Sequence, residues 1–238
     1  SDTNLPSHLT GIVDEKGDRF TTYQYAADGR AISTERYAGA FRYSVAYNVD
    51  GTSTVTDPLN TARIYGAQTI QSAPRHTGVN QPCDRCGLAA SITYDASGFL
   101  SGATNFNGTA FTYVHDARGL ETSRTEAFGT PVLQRTITTQ WHASFRLPTL
   151  ITEPGRTTSF DYDASGNLLT RTVTDTALSR TRTWTYTYDA AGQVLTVNGP
   201  RTDVTDVTTH TYHAGSGDLA TITNAPGHLS EITSYNVH

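Results

Sequence analysis

Apolar and polar residues alternate along this chain in short runs. Phe20, Thr22 and Gln24 face one way against Thr21, Tyr23 and Tyr25, and Phe41, Tyr43, Val45 and Tyr47 alternate with Arg42, Ser44 and Ala46. Around Tyr162, Phe160 and Tyr162 alternate with Ser159 and Asp161 before a break, and Leu169, Arg171 and Val173 alternate with Leu168, Thr170 and Thr172 after it. A period of two over runs of this length is the mark of a strand. The breaks repeat as well. Tyr162-Asp163-Ala164-Ser165-Gly166-Asn167-Leu168 returns as Tyr94-Asp95-Ala96-Ser97-Gly98-Phe99-Leu100 and as Tyr188-Asp189-Ala190-Ala191-Gly192-Gln193-Val194. Looser copies start at Tyr25, at Tyr47 and at His115, the last followed by Asp116 and Gly119, so a glycine follows the ring by four positions six times. Trp141, Tyr212 and Tyr235 hold the same slot without that spacing, and from Tyr94 onward the slots are 21, 26, 21, 26, 24 and 23 residues apart. Self-similarity at such a period predicts an array of stacked supersecondary units.

The turn explains the unit. An aspartate opening a type I turn accepts hydrogen bonds from the amides ahead of it, and a glycine three residues later takes the positive φ of a bulged hairpin loop. Asp95 with Gly98, Asp116 with Gly119, Asp163 with Gly166 and Asp189 with Gly192 fit those roles. Asp57-Pro58-Leu59-Asn60, Glu153-Pro154-Gly155, Asn198-Gly199-Pro200 and Asn224-Ala225-Pro226-Gly227 supply a second turn that returns the chain to the next hairpin. Two turns per repeat leave two strands of roughly 7–9 residues, each about 25 Å long.

These units resemble the RHS (rearrangement hotspot) or YD-repeat proteins over nearly the whole chain, from about Phe20 to His238. The resemblance implies tandem β-hairpins joined edge to edge into a continuous curved or spiralling antiparallel sheet, all-β with almost no helix. In that family the sheet forms a hollow shell, which in bacterial members encloses a toxin and in animal teneurins serves adhesion. It therefore implies a scaffold, secreted or at the cell surface, and not a chemistry.

Composition narrows the picture further. Residues 1–238 read as one array of about nine to ten units of roughly 23 residues, since a single kind of repeat argues for one continuous structure. Threonine occurs 42 times with 13 Tyr and 8 Phe, against one Lys and no Met, which favours strand over helix. At 36% hydrophobic content there is little apolar surplus for a thick core. The formal net charge of −5 argues against a nucleic-acid partner, and no apolar run approaches the length of a membrane span. Ser1-Asp2-Thr3-Asn4 lacks the basic and apolar regions of a signal peptide. Near the other end a new motif begins at Tyr235, and the polypeptide is expected to continue.

The register lapses once, between Tyr47 and Tyr94, where one unit has lost its motif and Ile64 to Ser72 is expected to hold its strands. Residues 73–87, rich in Pro, Gly and Asn, read as the longest irregular loop. Within it Cys83 and Cys86 have the spacing of half a zinc site, with His76 a possible third ligand, but no second pair follows. A thioredoxin-like role lacks its βαβ context, which leaves a local disulfide or two plain thiols. Asn107-Gly108 between Phe106 and Phe111 reads as a tight hairpin turn, and as a sequon with Thr109 it has meaning only in a glycosylating host.

Candidate chemistry is sparse. Asp161 and Asp163 lie two apart on one strand face, as paired carboxylates do, yet the partner acid of a glycosidase sits across a cleft and Asp163 has a turn to hold. Gly215-Ser216-Gly217 lacks the elbow of a serine hydrolase. Neither a phosphate loop nor a calcium loop occurs, and no cofactor is implied. The expectation is a scaffold without catalysis whose partners are neighbouring repeats of a longer chain and an enclosed toxin domain. The alternative is an adhesion module that holds surface glycans or a protein on Trp141, Trp184 and Tyr186. Open strand edges near Thr21 to Tyr25 and Ile232 to Tyr235 predict end-to-end association.

Overall fold

The computed structural model describes residues 6–82 and 89–235. Cys83 and Cys86 lie outside the described residues. The strands follow one another as β1 (Gly11–Val13), β2 (Arg19–Tyr25), β3 (Ala31–Arg36), β4 (Tyr43–Tyr47), β5 (Ser53–Thr56), β6 (Ala62–Ile70) and β7 (Ala73–Val79). Then come β8 (Ala89–Tyr94), β9 (Leu100–Asn105), β10 (Ala110–His115), β11 (Glu121–Phe128), β12 (Arg135–Trp141), β13 (Pro148–Glu153) and β14 (Arg156–Tyr162). The last six are β15 (Leu168–Asp175), β16 (Arg180–Tyr188), β17 (Val194–Asn198), β18 (Val207–Tyr212), β19 (Leu219–Thr223) and β20 (Leu229–Glu231). One 3₁₀ turn, Tyr37–Gly39, is the helical content among the described residues.

The protein is all-β, as the alternation predicts. Strands adjacent in sequence pair antiparallel within two sheets, one of seven strands (β1 to β7) and one of thirteen (β8 to β20), neither closed into a barrel. By contacts the chain divides into two compact units, residues 1–112 with 127–129 and residues 113–126 with 130–238.

In the second unit the two faces of the sheet differ in chemistry. One carries threonines directly opposed across strands: Thr172 and Thr183 share a hydrogen bond of 3.1 Å, Thr174 and Thr181 one of 3.2 Å, and Thr211 and Thr221 one of 2.7 Å. The other carries Phe160, Arg171, Val173, Trp184, Tyr186 and Val197 in register. Opposed threonines and aromatic–aliphatic pairs are each favourable on a pleated surface, so both faces help to hold register. Among the described residues the large apolar side chains that are buried are Val79, Leu120 and Ile137. Stability must then come from strand-to-strand contacts and not from a thick core.

The stretch expected to be irregular, 73–87, is strand over Ala73–Val79. It forms the second arm of a hairpin with β6, joined by Gln71 and Ser72 at φ of 51° and 64°. Pro74 fits because it lies opposite Thr69, one step beyond the turn-closing pair Ile70 and Ala73, where a strand's amide points away from its partner. The outer edges also differ from expectation. Strand β1 lies outside β2, and at the other end the edge is β20, with Ile232 to Tyr235 beyond it not in strand.

Candidate functional site

The repeated motif sits in one place in every unit. Its ring is the last residue of a strand: Tyr25 ends β2, Tyr47 β4, Tyr94 β8, His115 β10, Trp141 β12, Tyr162 β14, Tyr188 β16 and Tyr212 β18. At Tyr25, Tyr94, Trp141, Tyr162, Tyr188 and Tyr212 the register slips by one residue, so the strand leaving the turn carries an extra residue beside the ring. A bulge there bends the strand and re-aims the side chain.

The ring is thereby aimed at the repeat before it. Tyr47 donates its hydroxyl hydrogen to the carbonyl of Ala31 (2.9 Å), Tyr188 to that of Leu168 (2.8 Å) and Tyr212 to that of Val194 (2.8 Å). Tyr235 donates to Leu219 in the same way. Ala31, Leu168, Val194 and Leu219 each open the strand after the preceding motif's turn, so one motif's ring closes on the motif before it. Tyr162 reaches Pro148 (2.9 Å), and Trp141 substitutes its indole N–H, which donates to Glu121 at 2.8 Å. Tyr94 follows the unit that lost its motif, and its hydroxyl donates instead to His76 in β7 (2.8 Å). Tyr25 donates to Leu9 (2.8 Å). Burial pushes the phenols of Tyr162 and Tyr188 up from their ordinary range, in keeping with rings packed between units.

The turns are built on backbone bonds that recur. At Asp163, the amide donates to Asn167 O (2.9 Å) and Gly166 N donates to Asp163 O (3.1 Å), while the carboxylate Oδ1 accepts from the amides of Ser165 and Asn167 at 2.9 and 2.8 Å. Asp95, Asp116 and Asp189 accept the corresponding amides, with Gly98, Gly119 and Gly192 at φ of 79°, 74° and 83°. Further turns use the same device, Asp57 with Asn60 at φ 62°, Asn105 with Gly108 at φ 78° and Asn224 with Gly227 at φ 89°, whereas Glu153-Pro154-Gly155 joins Glu153 directly to its partner Arg156 and Asn198-Gly199-Pro200 opens a longer loop in which Gly199 N donates to Asp206 O. At Asn107-Gly108 the turn therefore opens on Asn105, two residues before the Asn-Gly pair. The signal was present in sequence as an Asx residue three before a Gly or Asn.

Adjacent turns are also stitched together. Arg118 Nη1 donates to the carbonyls of His142 (2.8 Å) and Ala143 (3.1 Å), and Arg146 Nη1 donates back to Arg118 O (3.3 Å). The Gln193 side-chain amide donates to Gly217 O.

Two outcomes follow for the turns. Gly166→Val is expected to destabilise by about 2 kcal/mol and Gly166→Asn by under about 1 kcal/mol, because φ 87° suits Asn far better than a β-branched residue. Equal losses in denaturant melts would remove the role given to the positive φ. The Asp163 carboxyl is held below its ordinary range, first by the Asn167 side-chain amide and then by the Asn167 backbone amide, and Asp116 is lowered first by the Leu120 amide. A carboxyl lowered on folding contributes stability above its unfolded value near 3.8 and loses it as pH falls through the folded one. Stability is thus expected to hold from pH 7 to about pH 4.5 at these turns and to fall below it, and a flat melting profile from pH 5 to pH 2.5 would contradict this.

The alternative chemistries are not assembled. Asp161 Oδ2 accepts from Thr170 at 2.6 Å on the threonine face, while Asp163 is occupied in its turn. Ser216 lies in the turn between β18 and β19, where its hydroxyl accepts from Asp218 N at 3.3 Å. Among the described residues no three His, Cys, Asp or Glu side chains gather as a metal would require. Trp184 lies beneath the Arg171 guanidinium, 4.9 Å from ring centroid to Cζ, and it, Trp141 and Tyr186 are half-buried. The exposed aromatic cluster is elsewhere. Phe20, Tyr37, Phe41 and Tyr43 are 51%, 68%, 65% and 44% exposed, with Arg36 Cζ 5.7 Å from the Phe20 ring and 5.3 Å from that of Phe41.

Hairpins in sequence order, tied to their predecessors by the rings of a repeated motif such as Tyr162, Tyr188 and Tyr212, define a tandem β-hairpin repeat protein. The chain is similar in fold to chains in crystal structures of TcdB2-TccC3, at a TM-score of 0.58 and 16% identity over 89% of this chain and 13% of that one. It is similar also to a chain of TcdB2-TccC3-Cdc42 (0.56, 16% identity, 89% and 12% covered) and to one of TcdB2-TccC3 without its hypervariable C-terminal region (0.55, 15%, 89% and 12%). The chain thus spans about an eighth of the length of those proteins. No family model and no curated protein matches it.

Proposed function

We propose that this chain is a structural scaffold: a segment of a secreted or surface shell of the RHS or YD-repeat kind, which encloses or displays a toxin or other cargo encoded elsewhere in a longer parent. The observation that carries the reading is that the motif's chemistry is spent inside the array. Ring hydroxyls and the Arg118 guanidinium are bonded to neighbouring repeats, and the turn carboxylates are bonded within their own turns. The fold likeness to an eighth of the TcdB2-TccC3 chains fits a segment of something larger. On this reading the partners are the flanking repeats and the cargo, and the segment has no catalytic step of its own. The test is electron microscopy of the intact parent. A hollow particle with enclosed density is expected, and a solid particle or an open strip would overturn the proposal.

A second reading, adhesion to glycans, is favoured by the exposed cluster of Phe20, Tyr37, Phe41 and Tyr43. Phe41 is held at φ 51°, uncommon for so bulky a residue, and such strain is often kept where a side chain has work to do. Glycan-array binding lost on Tyr37→Ala with Phe41→Ala would establish it. No binding by the unmodified chain would dismiss it.

A further inference from the structure

We propose that the turn between β12 and β13 is an acid-sensitive joint, a place where the array opens when His142 takes up a proton while the carboxylate turns stay closed. This goes beyond the scaffold reading and does not depend on it.

His142 stands where the clearest repeats have Asp. Its Nδ1 accepts from the amides of Ser144 and Phe145, both at 3.1 Å, and its own amide donates to Leu147 O at 2.8 Å. The geometry is one an Asx side chain makes in this molecule. At the turn after β15, Asp175 Oδ1 accepts from Ala177 and Leu178, likewise two and three residues ahead, at 3.0 and 2.9 Å. An imidazole can do this only with Nδ1 unprotonated and its hydrogen on Nε2, a tautomer assigned from these two bonds. Protonation places an N–H against two N–H donors. Both bonds are then lost, and two amides in the turn lose their acceptor.

Among the described residues, the charged groups of the turns around the ring are already engaged. From the preceding turn, Arg118 lies on the His142 and Ala143 carbonyls, and the Asp116 carboxylate of that turn is already paired with Arg118 at 3.0 Å. Arg146 of the same turn bonds back to Arg118 O. Phe145 of the same turn stacks on the imidazole at 4.8 Å, the Tyr162 ring of the next repeat meets it edge-on at 6.5 Å with its hydroxyl on Pro148, and the Asp163 carboxylate is bonded within its own turn. A proton on Nδ1 competes with the two amide bonds that close the turn, so the closed form weakens as pH falls. Imidazoles change charge near pH 6.5 and carboxylates near pH 4. Acidification to about pH 5 therefore acts on this joint first. His213 occupies the corresponding slot after β18 but does not act in this way. Its Nε2 faces the Ile232 carbonyl at 3.4 Å, an arrangement that a protonated ring keeps.

The experiment is hydrogen exchange of the backbone amides at pH 7.5, 6.5, 5.5 and 5.0, corrected for intrinsic rates, on the folded chain and on His142→Asp, His142→Asn and His213→Asn. The unmodified chain should lose protection at least tenfold at Ser144 and Phe145 between pH 7.5 and 5.0, with no such change at Ser165 or Ala191. His142→Asp and His142→Asn supply an acceptor that does not titrate in this range, and either one, if folded, should abolish the loss. His213→Asn should leave it in place. Unchanged protection at Ser144 and Phe145 at pH 5.0 would overturn the proposal, and so would an equal loss in His142→Asp or His142→Asn. Nitrogen chemical shifts of the imidazole at pH 7.5 give an independent reading: an Nδ1-protonated ring there would overturn it even if no variant folds.

Discussion

Tyr162→Ala is expected to lower the stability of the fold by about 2–4 kcal/mol, and Tyr162→Phe by about 1 kcal/mol. The ring packs beside Phe160 (6.5 Å between centroids) and meets His142 edge-on, and its hydroxyl donates to Pro148 O at 2.9 Å. Alanine removes both the packing and the bond, whereas phenylalanine keeps the packing and leaves one carbonyl without its donor. The loss should also be directional. Because the bond reaches back from β14 to the start of β13, exchange should rise around Pro148 to Leu150 more than around the following repeat. Denaturant melts with exchange on both variants check this. A change within about 0.5 kcal/mol for alanine would mean that the ring contributes little, and the motif would then need another explanation.

Gly78→Ala is expected to cost more, at least about 3 kcal/mol. Gly78 lies in β7 at φ 130°, and a Cβ there would overlap the Ala90 carbonyl oxygen of β8 and come within 2.8 Å of Ser91 Cα. Those are backbone atoms, so no side chain can swing aside. The strands must part where the chain passes from the seven-stranded sheet to the thirteen-stranded one. Gly108→Ala is the control: its φ is 78° but nothing lies within 4 Å of an added Cβ, so conformational strain alone should cost about 1 kcal/mol. Measured in denaturant melts, similar losses at the two positions would show that the close approach of β7 and β8 is not tight. Exchange at Ser91 to Thr93 should rise in Gly78→Ala and not in the control.

The alternation around Tyr162 and the Asp-x-x-Gly turns specify hairpins because each bond involved spans at most four residues, as Asp163 with Ser165 and Asn167 illustrates. Any chain with those residues at those offsets meets the same local geometry, and repetition then brings each hairpin to the next. All-β architecture, antiparallel order and the turn roles were legible for that reason. The strand over Ala73–Val79 was not, since Pro74 and Gly78 argue locally against a strand and only the pairing with β6 shows that neither interrupts a needed bond. Nor could sequence reveal what the rings do. Alternation assigns Tyr188 to a face, but its acceptor, Leu168 O, lies 20 residues away and is a backbone atom that no residue type marks. The close approach of Gly78 to Ala90 and the exposed cluster around Phe41 are of the same kind. Each depends on how closely separate segments approach, and that distance is set by the packing of the whole sheet, not by the neighbours of any residue along the chain.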